Sequence, residues 1–134
     1  MILCSGCFDG LHVGHLRYLQ AAKALHPTRS LCVAVASDEY IRTHKGREPQ
    51  WLQGDRLAVV FALSIVDRVI LHGVDGATES ILDLRPYAFV KGADWATRVP
   101  ADLALACRTV GTRLLFVDSG IRKHSSDALS PVIA

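Results

Sequence analysis

The chain has 134 residues, half of them apolar, and a formal net charge of +2. This length suits one domain with a substantial core, residues 1–134, and the apolar composition excludes intrinsic disorder. The small net charge does not indicate nucleic-acid binding, no apolar stretch is long enough to span a membrane, and the N-terminus lacks a signal-peptide pattern. We therefore expect a cytoplasmic domain without nucleic-acid or membrane partners.

Strand-like and helix-like segments alternate along the chain, which is typical of parallel β/α units. Residues 1–5 predict the first strand and residues 14–25 the first helix, which ends before Pro27. The continuous apolar run 31–36 predicts a central strand that is covered on both faces. The polar, basic stretch 37–53 then predicts a long loop, and such loops usually carry function.

The second half of the chain continues the same alternation. Its predicted elements are a helix over 55–64, a strand over 69–71, a helix over 77–84, a strand over 89–90, a helix over 101–110, a strand over 114–117 and a short final helix over 125–129. In the first of these helices, the predicted inward side chains are Leu57, Val60, Phe61 and Leu63. Five strands with intervening helices predict a doubly wound, Rossmann-like parallel sheet, which binds ligands at the carboxyl ends of its strands.

The four cysteines, Cys4, Cys7, Cys32 and Cys107, are interpreted as small apolar residues in a reducing compartment. Cys4 and Cys7 match C-x-x-C, so a redox or zinc module is an alternative. No second C-x-x-C or well-spaced Cys/His pair completes four zinc ligands, and we expect no metal held by protein side chains alone. The alternative predicts zinc in the purified protein or loss of activity when Cys4 is changed.

The most informative segment, residues 6–15, reads GCFDGLHVGH between the first strand and the first helix. A glycine-bearing turn at such a junction binds polyanions, because free backbone N–H groups and the positive end of the helix dipole converge there. His12 and His15, with Gly14 between them, add positive charge at the same place. We interpret this segment as a phosphate-handling site.

The pattern G-x-F-D-x-x-H-x-G-H resembles the nucleotidyltransferase superfamily marked by H-x-G-H, and within it the cytidylyltransferase-like branch. The resemblance covers essentially the whole chain; it continues at Lys45-Gly46, Arg56, residues 91–95 and Ser125-Ser126. It implies an enzyme that transfers a nucleoside monophosphate from a nucleoside triphosphate to a phosphorylated small-molecule acceptor and releases pyrophosphate. It also implies a homodimer, since family members are commonly dimers.

By this resemblance, the catalytic residues are His12, His15, Lys45 and Arg56. His15 would stabilise charge on the transferred phosphoryl group, and Lys45 would neutralise the α-phosphate or the acceptor phosphate. The implied nucleotide-binding residues are Gly6, Cys7, Phe8, Asp9, Gly14, Lys91, Gly92, Asp94, Trp95, Ser125 and Ser126. The alternative interpretation of Arg56 is an ion pair with Asp55 or Glu48.

Near the end of the chain, the sequence departs from the branch's I-S-T-T-like segment. His124 stands where serine is usual, and Lys123 stands where an apolar residue is usual. Arg122 and Lys123 are candidates for replacement charge in the pyrophosphate half of the site.

Residues 6–9 together with residues 90–95 most resemble the adenylyltransferase domains that act on heptose 1-phosphate. We therefore predict transfer of AMP from ATP, with Mg²⁺ accompanying the triphosphate, because Mg²⁺ binds largely through substrate oxygens. Cytidylyltransferases that use CTP and glycerol 3-phosphate or phosphoethanolamine, and archaeal FMN adenylyltransferases, share nearly all of these residues and are the alternatives. A nucleotide-binding protein that catalyses no reaction is a further alternative, which the retention of both histidines disfavours.

Overall fold

A computed structural model describes residues 1–118 of the chain. The strands are β1 (Ile2–Gly6), β2 (Leu31–Ala36), β3 (Arg68–His72), β4 (Ala88–Gly92) and β5 (Arg113–Val117). The helices are α1 (Val13–Leu25), α2 (Asp38–Lys45), α3 (Gln53–Phe61), α4 (Thr78–Leu84) and α5 (Ala101–Val110), and a 3₁₀ turn covers Ala93–Trp95. The predicted final helix over 125–129, with Ser125 and Ser126, lies outside the described residues.

All five strands pair in parallel in the order β3-β2-β1-β4-β5, which confirms the predicted doubly wound sheet. The chain runs from β1 outward to β3, then crosses to β4 on the other side of β1. This reversal places the topological switch point between β1 and β4, where an open α/β sheet forms a crevice at the carboxyl ends of its strands. The histidine-bearing turn follows β1 directly and therefore lies at that crevice.

Helices cover both faces of the sheet, which explains why β2 is a continuous apolar run. On one face, Leu19 of α1 and Val60 of α3 pack against alternate residues of β1, β2 and β4. On the other face, Ile81 of α4 and Ala106 of α5 pack against the intervening residues. Every residue of β2 is buried, as expected of a central parallel strand. Within residues 1–118, no helix has the length and apolar character that crossing a membrane requires.

Three of the cysteines, Cys4, Cys32 and Cys107, lie in these two cores, and Cys7 is partly buried at the end of the first strand. All four are free thiols. Burial raises the pKa of Cys4 to about 12, so this thiol stays protonated and unreactive. Their surroundings agree with the interpretation as small apolar residues.

The stretch 37–53 is not one long loop, because its first half forms α2. Ser37 caps the helix by accepting a hydrogen bond from the Tyr40 N–H at 3.0 Å, and Gly46 ends it in the left-handed region at φ 66°. Its charges complement the helix dipole, with Asp38 and Glu39 in the first turn and Arg42, His44 and Lys45 in the last. Only Ile41 is buried, so α2 lacks the apolar face from which a helix is usually recognised.

Helix α3 also differs from the prediction, since it ends at Phe61 and one of its four predicted inward residues is exposed. Val60 is buried as predicted, whereas Phe61 is 57% exposed. Leu57 and Leu63 are partly buried against the same core. The fourth inward position is taken by Arg56, one helical turn before Val60 and only 2% exposed. The remaining predicted elements within the described residues agree with the structure apart from their end residues.

Candidate functional site

A cavity of about 1200 Å³ opens at the carboxyl ends of the strands. The predicted site residues that line it are Gly6, Cys7, Phe8, Asp9, His12, Gly14, His15, Lys45, Lys91, Gly92, Asp94 and Trp95. Arg56 is not among them, and Ser125 and Ser126 lie outside the described residues. The volume exceeds the range typical of a pocket for one small ligand, so two substrates can be accommodated.

The two histidines form a capping box at the start of α1. His12 is the N-cap, and its Nδ1 accepts a hydrogen bond from the Gly14 N–H at 2.9 Å. His15 Nδ1 accepts one from the His12 N–H at 3.1 Å. Imidazoles thus take the places of the serine and glutamate that usually form this motif. Because each Nδ1 is an acceptor, each neutral ring carries its proton on Nε2.

The rings of His12 and His15 are held close together at the cavity wall. Their centroids are 3.9 Å apart with an interplanar angle of 33°, and the Phe8 ring packs against His15 at 5.3 Å. Phe8 is 3% exposed and belongs to the core, so it both lines the cavity and supports the ring behind it. A Cβ at Gly6 would lie 3.0 Å from the Phe8 ring, which explains the glycine there.

Asp9 holds the turn to the segment 47–51 through hydrogen bonds. One carboxylate oxygen accepts hydrogen bonds from Arg47 Nη1 at 2.7 Å and the Gln50 N–H at 2.8 Å, and the other accepts from the Trp51 N–H at 2.8 Å. The Asp9 side chain is 2% exposed. Burial alone would raise the pKa of Asp9, but these three donors outweigh it and hold the pKa below its ordinary value of 3.8.

Replacing Asp9 with asparagine should cost about 1–3 kcal/mol of stability at neutral pH, because buried donors lose a charged acceptor. A carboxyl whose pKa is lowered by folding stabilises the protein when the pH is above the ordinary pKa of that carboxyl, here 3.8. This stabilisation is lost as the pH falls from that value through the lowered pKa of the folded state. Urea unfolding at about pH 7 and about pH 3 should therefore show a smaller pH effect for Asp9→Asn than for the unchanged protein.

Asp94→Asn is the matched control for this experiment. Asp94 pairs with Arg98 at 3.3 Å, and both side chains are exposed, so its loss should cost about 0.5 kcal/mol or less. If the free energy of unfolding changes equally with pH in the unchanged protein and in Asp9→Asn, the Asp9 carboxylate does not stabilise the fold through these hydrogen bonds.

Lys91 places a positive charge at the floor of the cavity. Its Nζ donates to the Ser5 carbonyl oxygen at 3.1 Å and lies 4.6 Å from the centroid of the Trp95 ring. Within residues 1–118 it forms no ion pair. Burial lowers the pKa of Lys91 to about 8, and the thiols of Cys4 and Cys7 and the Asp94 carboxylate oppose that shift only in part. Trp95 is half-buried, and this ammonium lies over its ring.

Arg56 lies on the inner side of α3 and does not line the cavity, although the resemblance implies a catalytic role for it. Its guanidinium donates to the carbonyl oxygens of Trp51 at 2.7 Å, Cys7 at 2.8 Å and Ala36 at 2.6 Å, and to Asp38 Oδ1 at 2.8 Å. It therefore joins the ends of β1 and β2 to the start of α2. Four of its five N–H donors are thus used by these protein acceptors, which gives Arg56 a structural role.

The alternative ion pairs expected for Arg56 do not form either. Its carboxylate partner is Asp38, while Glu48 pairs with Arg42 at 3.0 Å. Lys45 lies on α2 and not in the predicted loop; it is exposed in the last turn of this helix and lines the cavity.

Several cavity residues were not identified from the sequence. Tyr18 lies one turn after His15; its hydroxyl accepts from the Ser5 N–H at 3.3 Å and donates to the Val90 carbonyl, so it links β1 to β4 at the switch point. Its helical spacing from His15 was the available signal. Arg47, the partner of Asp9, also lines the cavity.

A second group, Tyr40, His44 and His72, lines the part of the cavity beside α2 and β3. The Tyr40 ring lies 4.4 Å from that of His44 and 4.9 Å, edge-on, from that of His72. His44 Nε2 is 2.6 Å from the Val74 carbonyl oxygen, and burial lowers the pKa of His72. Tyr40 and His44 are four residues apart on α2 and therefore share a helix face, whereas His72 is distant in sequence and only the fold brings it to them.

Comparisons with known proteins identify a family model and several relatives that this chain resembles. The family model described as cytidylyltransferase-like matches residues 3–114. The bifunctional protein HldE of Helicobacter pylori (strain J99) is 38% identical over 82% of this chain and 24% of its own length. The same-named protein of Campylobacter curvus (strain 525.92) is 39% identical over 96% of this chain and 28% of its own length. The chain thus spans about a quarter of the length of the curated relatives it matches.

Two solved structures share the fold. The lipopolysaccharide core biosynthesis protein from Thermoplasma volcanium GSS1 superposes with a TM-score of 0.73 at 27% identity, covering 87% of this chain and 94% of that one. A protein of unknown function from Archaeoglobus fulgidus gives a TM-score of 0.65 at 18% identity, over 92% of this chain and 93% of that one. The second likeness concerns the fold alone.

Proposed function

The chain belongs to the cytidylyltransferase-like family of nucleotidyltransferases, and from this premise we propose that it transfers a nucleoside monophosphate from a nucleoside triphosphate to a phosphorylated small-molecule acceptor. The observation that carries the proposal is the pair of imidazoles at the start of α1, whose Nδ1 atoms both accept backbone hydrogen bonds. Their protonated Nε2 atoms are suited to bind phosphate oxygens in a cavity that also contains the ammonium of Lys91.

In the proposed reaction, an oxygen of the acceptor phosphate attacks the α-phosphorus, and the bond to the leaving pyrophosphate breaks. Such a transfer requires mutually repelling anions to be held in line and their charge to be stabilised, so no side-chain nucleophile is needed. His12, His15 and the positive end of α1 would stabilise the α-phosphate oxygens. Lys91 and Lys45 would neutralise the remaining phosphate charge, and the size of the cavity supports simultaneous binding of both substrates.

Within this class, we propose ATP as the donor and a sugar 1-phosphate such as heptose 1-phosphate as the acceptor. The support is the resemblance of residues 6–9 and 90–95 to heptose-1-phosphate adenylyltransferase domains, and the identity to HldE proteins over most of the chain. CTP with glycerol 3-phosphate or a similar phosphate is the competing assignment, and the activity assay below distinguishes the two. We also propose a cytoplasmic location, in line with a substrate class of soluble phosphates.

Mg²⁺ fits this site as an ion held mainly by the triphosphate. Within the described residues, no cluster of three His, Cys, Asp or Glu side chains could hold a metal alone. Asp9 is used by Arg47 and two backbone amides, and the exposed Asp94, which also lines the cavity, is a carboxylate that could complete the shell. Such an ion neutralises phosphate charge while most of its ligands remain substrate oxygens and water.

The proposal is tested by measuring pyrophosphate release from ATP or CTP in the presence of Mg²⁺ and a panel of sugar 1-phosphates and polyol phosphates. We expect release only when a triphosphate and a suitable acceptor are both present, and no release in excess chelator. The matched control is the double variant His12→Ala/His15→Ala, which should be inactive. Binding of nucleotide without turnover across a broad panel would favour a non-catalytic nucleotide-binding protein instead.

Nucleotide affinity should fall as the pH rises from about 7.5 to about 9.5, by up to about tenfold per pH unit. The pKa of Lys91 in the free protein is about 8, so above it the amine is neutral and a proton must be taken up when the triphosphate binds. Titration calorimetry across this range measures the effect. Lys91→Arg should bind the nucleotide with an affinity that depends little on pH, and Lys91→Met should bind it weakly at every pH. If the affinity of Lys91→Arg still falls with pH, another group causes the pH dependence.

A homodimer is proposed from the apolar surface beside the active-site turn. Trp51 and Val59 are each at least half exposed and line a second cavity of about 400 Å³, and Leu52 beside Trp51 is also exposed. Exposed apolar groups of this size usually mark a contact surface. Light scattering should give the mass of two chains, and Val59→Glu should give the mass of one; a monomeric unchanged protein would contradict the proposal.

A further inference from the structure

A cluster of cationic and aromatic side chains lies at the opposite edge of the sheet, where the strands begin. Tyr87 stands just before β4, Arg29 just before β2, and Arg113 is the first residue of β5. The Arg29 Cζ lies 3.5 Å from the centroid of the Tyr87 ring, and the Arg113 Cζ lies 5.0 Å from it. The ring of His26 contacts the same tyrosine edge-on at 4.8 Å. None of these four residues lines the large cavity.

Backbone hydrogen bonds hold this cluster in place. The Tyr87 N–H donates to the Met1 carbonyl oxygen at 2.8 Å, and the Arg113 N–H donates to the Tyr87 carbonyl oxygen at 3.1 Å. The Arg29 N–H donates to the His26 carbonyl oxygen at 3.0 Å. The backbones of Tyr87, Arg113 and Arg29 are therefore fixed by main-chain hydrogen bonds, and both guanidinium groups lie against the same ring.

The positive charge of the cluster is not balanced by the part of the chain that the structure describes. Within residues 1–118, neither Arg29 nor Arg113 forms an ion pair, and neither guanidinium donates a hydrogen bond to a protein acceptor. Arg85, two residues before Tyr87, is exposed and likewise forms no ion pair. The nearby carboxylate of Asp67 is used by the Leu31 N–H at 2.8 Å and by Lys23.

Helix ends explain part of this charge but not its arrangement. Helices α1 and α5 end at this edge, and cations near a helix C-terminus are stabilised by the helix dipole. A solvated lysine would serve that purpose equally. Two guanidinium groups lie against one ring and donate no side-chain hydrogen bond to protein within residues 1–118, so their N–H groups are available to phosphate, which arginine binds through paired hydrogen bonds.

We propose that Arg29 and Arg113, positioned by Tyr87, bind a phosphate group at this edge, carried either by a small soluble molecule or by a lipid headgroup. Stacking on the ring restricts both side chains before the ligand arrives, which lowers the entropy that binding must remove. His26 supports the ring from its edge. The site is separate from the proposed nucleotide cavity and does not depend on the proposed function.

Inorganic phosphate is the first probe, titrated into the ¹⁵N-labelled full chain against sodium chloride at matched ionic strength. We expect saturable shifts of the amide signals of Tyr87 and Arg113, separate from any shifts of the turn at His12 and His15. The double variant Arg29→Gln/Arg113→Gln should weaken phosphate binding at this edge by about tenfold or more, since each loses a charge-assisted hydrogen bond. The signals of the turn should respond as before, which also shows that the variant is folded.

Arg108→Gln is the matched control, because Arg108 is an exposed arginine near the end of α5 that forms no ion pair among the described residues. It removes one charge and should leave the shifts at Tyr87 unchanged. Shifts that do not saturate, that chloride reproduces, or that Arg108→Gln weakens as much as the double variant would overturn the proposal.

Sedimentation with lipid vesicles distinguishes the two sources of phosphate. Binding to vesicles that contain phosphatidic acid, but not to pure phosphatidylcholine, with loss in the double variant, would assign the site to a headgroup. Saturable binding of inorganic phosphate without sedimentation would assign it to a soluble phosphate. Unchanged phosphate binding by the double variant would refute the site whatever the vesicles show.

Discussion

Replacing His15 with alanine is expected to lower turnover by about 10² or more, because it removes the donor that we propose stabilises the developing charge of the transferred phosphoryl group. Steady-state pyrophosphate release at saturating substrates measures the effect. The same change also removes a capping interaction, since His15 Nδ1 accepts the His12 N–H at 3.1 Å. Alanine should therefore cost up to about 1 kcal/mol of stability as well.

His15→Gln separates the two roles of this side chain. Glutamine is a usual residue at this position of a capping box, so its side-chain oxygen can accept the His12 N–H and preserve stability. It lacks the imidazole Nε2–H, so turnover should stay low while the denaturation midpoint returns to that of the unchanged protein. Normal turnover in His15→Gln would mean that His15 acts as a cap and takes no part in the chemistry.

Replacing Arg56 with leucine is expected to cost about 3–5 kcal/mol of stability, the largest effect of any single change proposed for this chain. The guanidinium is 2% exposed and donates to three carbonyl oxygens and to Asp38. Leucine would leave these acceptors buried, and one of them is a carboxylate. Denaturant unfolding at neutral pH, with the midpoint and slope both fitted, measures the loss.

Arg42→Leu is the matched control for Arg56→Leu. Arg42 forms an ion pair with Glu48 at 3.0 Å, but both side chains are largely exposed to solvent. Removing it should cost about 1 kcal/mol or less, because exposed ion pairs contribute little. Similar losses in the two variants would show that the burial of Arg56 does not have the structural importance assigned to it.

Much of the fold could be predicted from local patterns. The alternation of apolar runs with helical spacing identified the five strands, and the uninterrupted run of β2 indicated burial on both faces. The missed helix α2 also has local sequence signals. These are the Ser37 N-cap, acidic residues in the first turn with basic residues in the last turn, and Gly46 at the C-terminal end. Its composition suggested a loop because a helix with one buried residue has almost no apolar face.

The turn after β1 was predictable for a similar reason. Phe8 and the two histidines interact with neighbours in the same short segment, as in the capping box and the contact of the Phe8 ring with that of His15. Their spacing therefore carried the information. The partner of Asp9 was not predictable, because the segment 47–51 is distant in sequence and reaches the turn only in the folded chain.

The sequence by itself determined the five strands, the helices other than α2, the glycine- and histidine-bearing turn after β1 and the family to which the chain belongs. Only the tertiary structure decided that Arg56 points inward, that Tyr40, His44 and His72 share a wall of the cavity, and that two arginines meet at Tyr87. The physical reason is that local patterns depend on backbone geometry and neighbouring side chains. The direction of a long cationic side chain depends instead on which acceptors distant segments bring within its reach, and those positions exist only after the sheet has assembled.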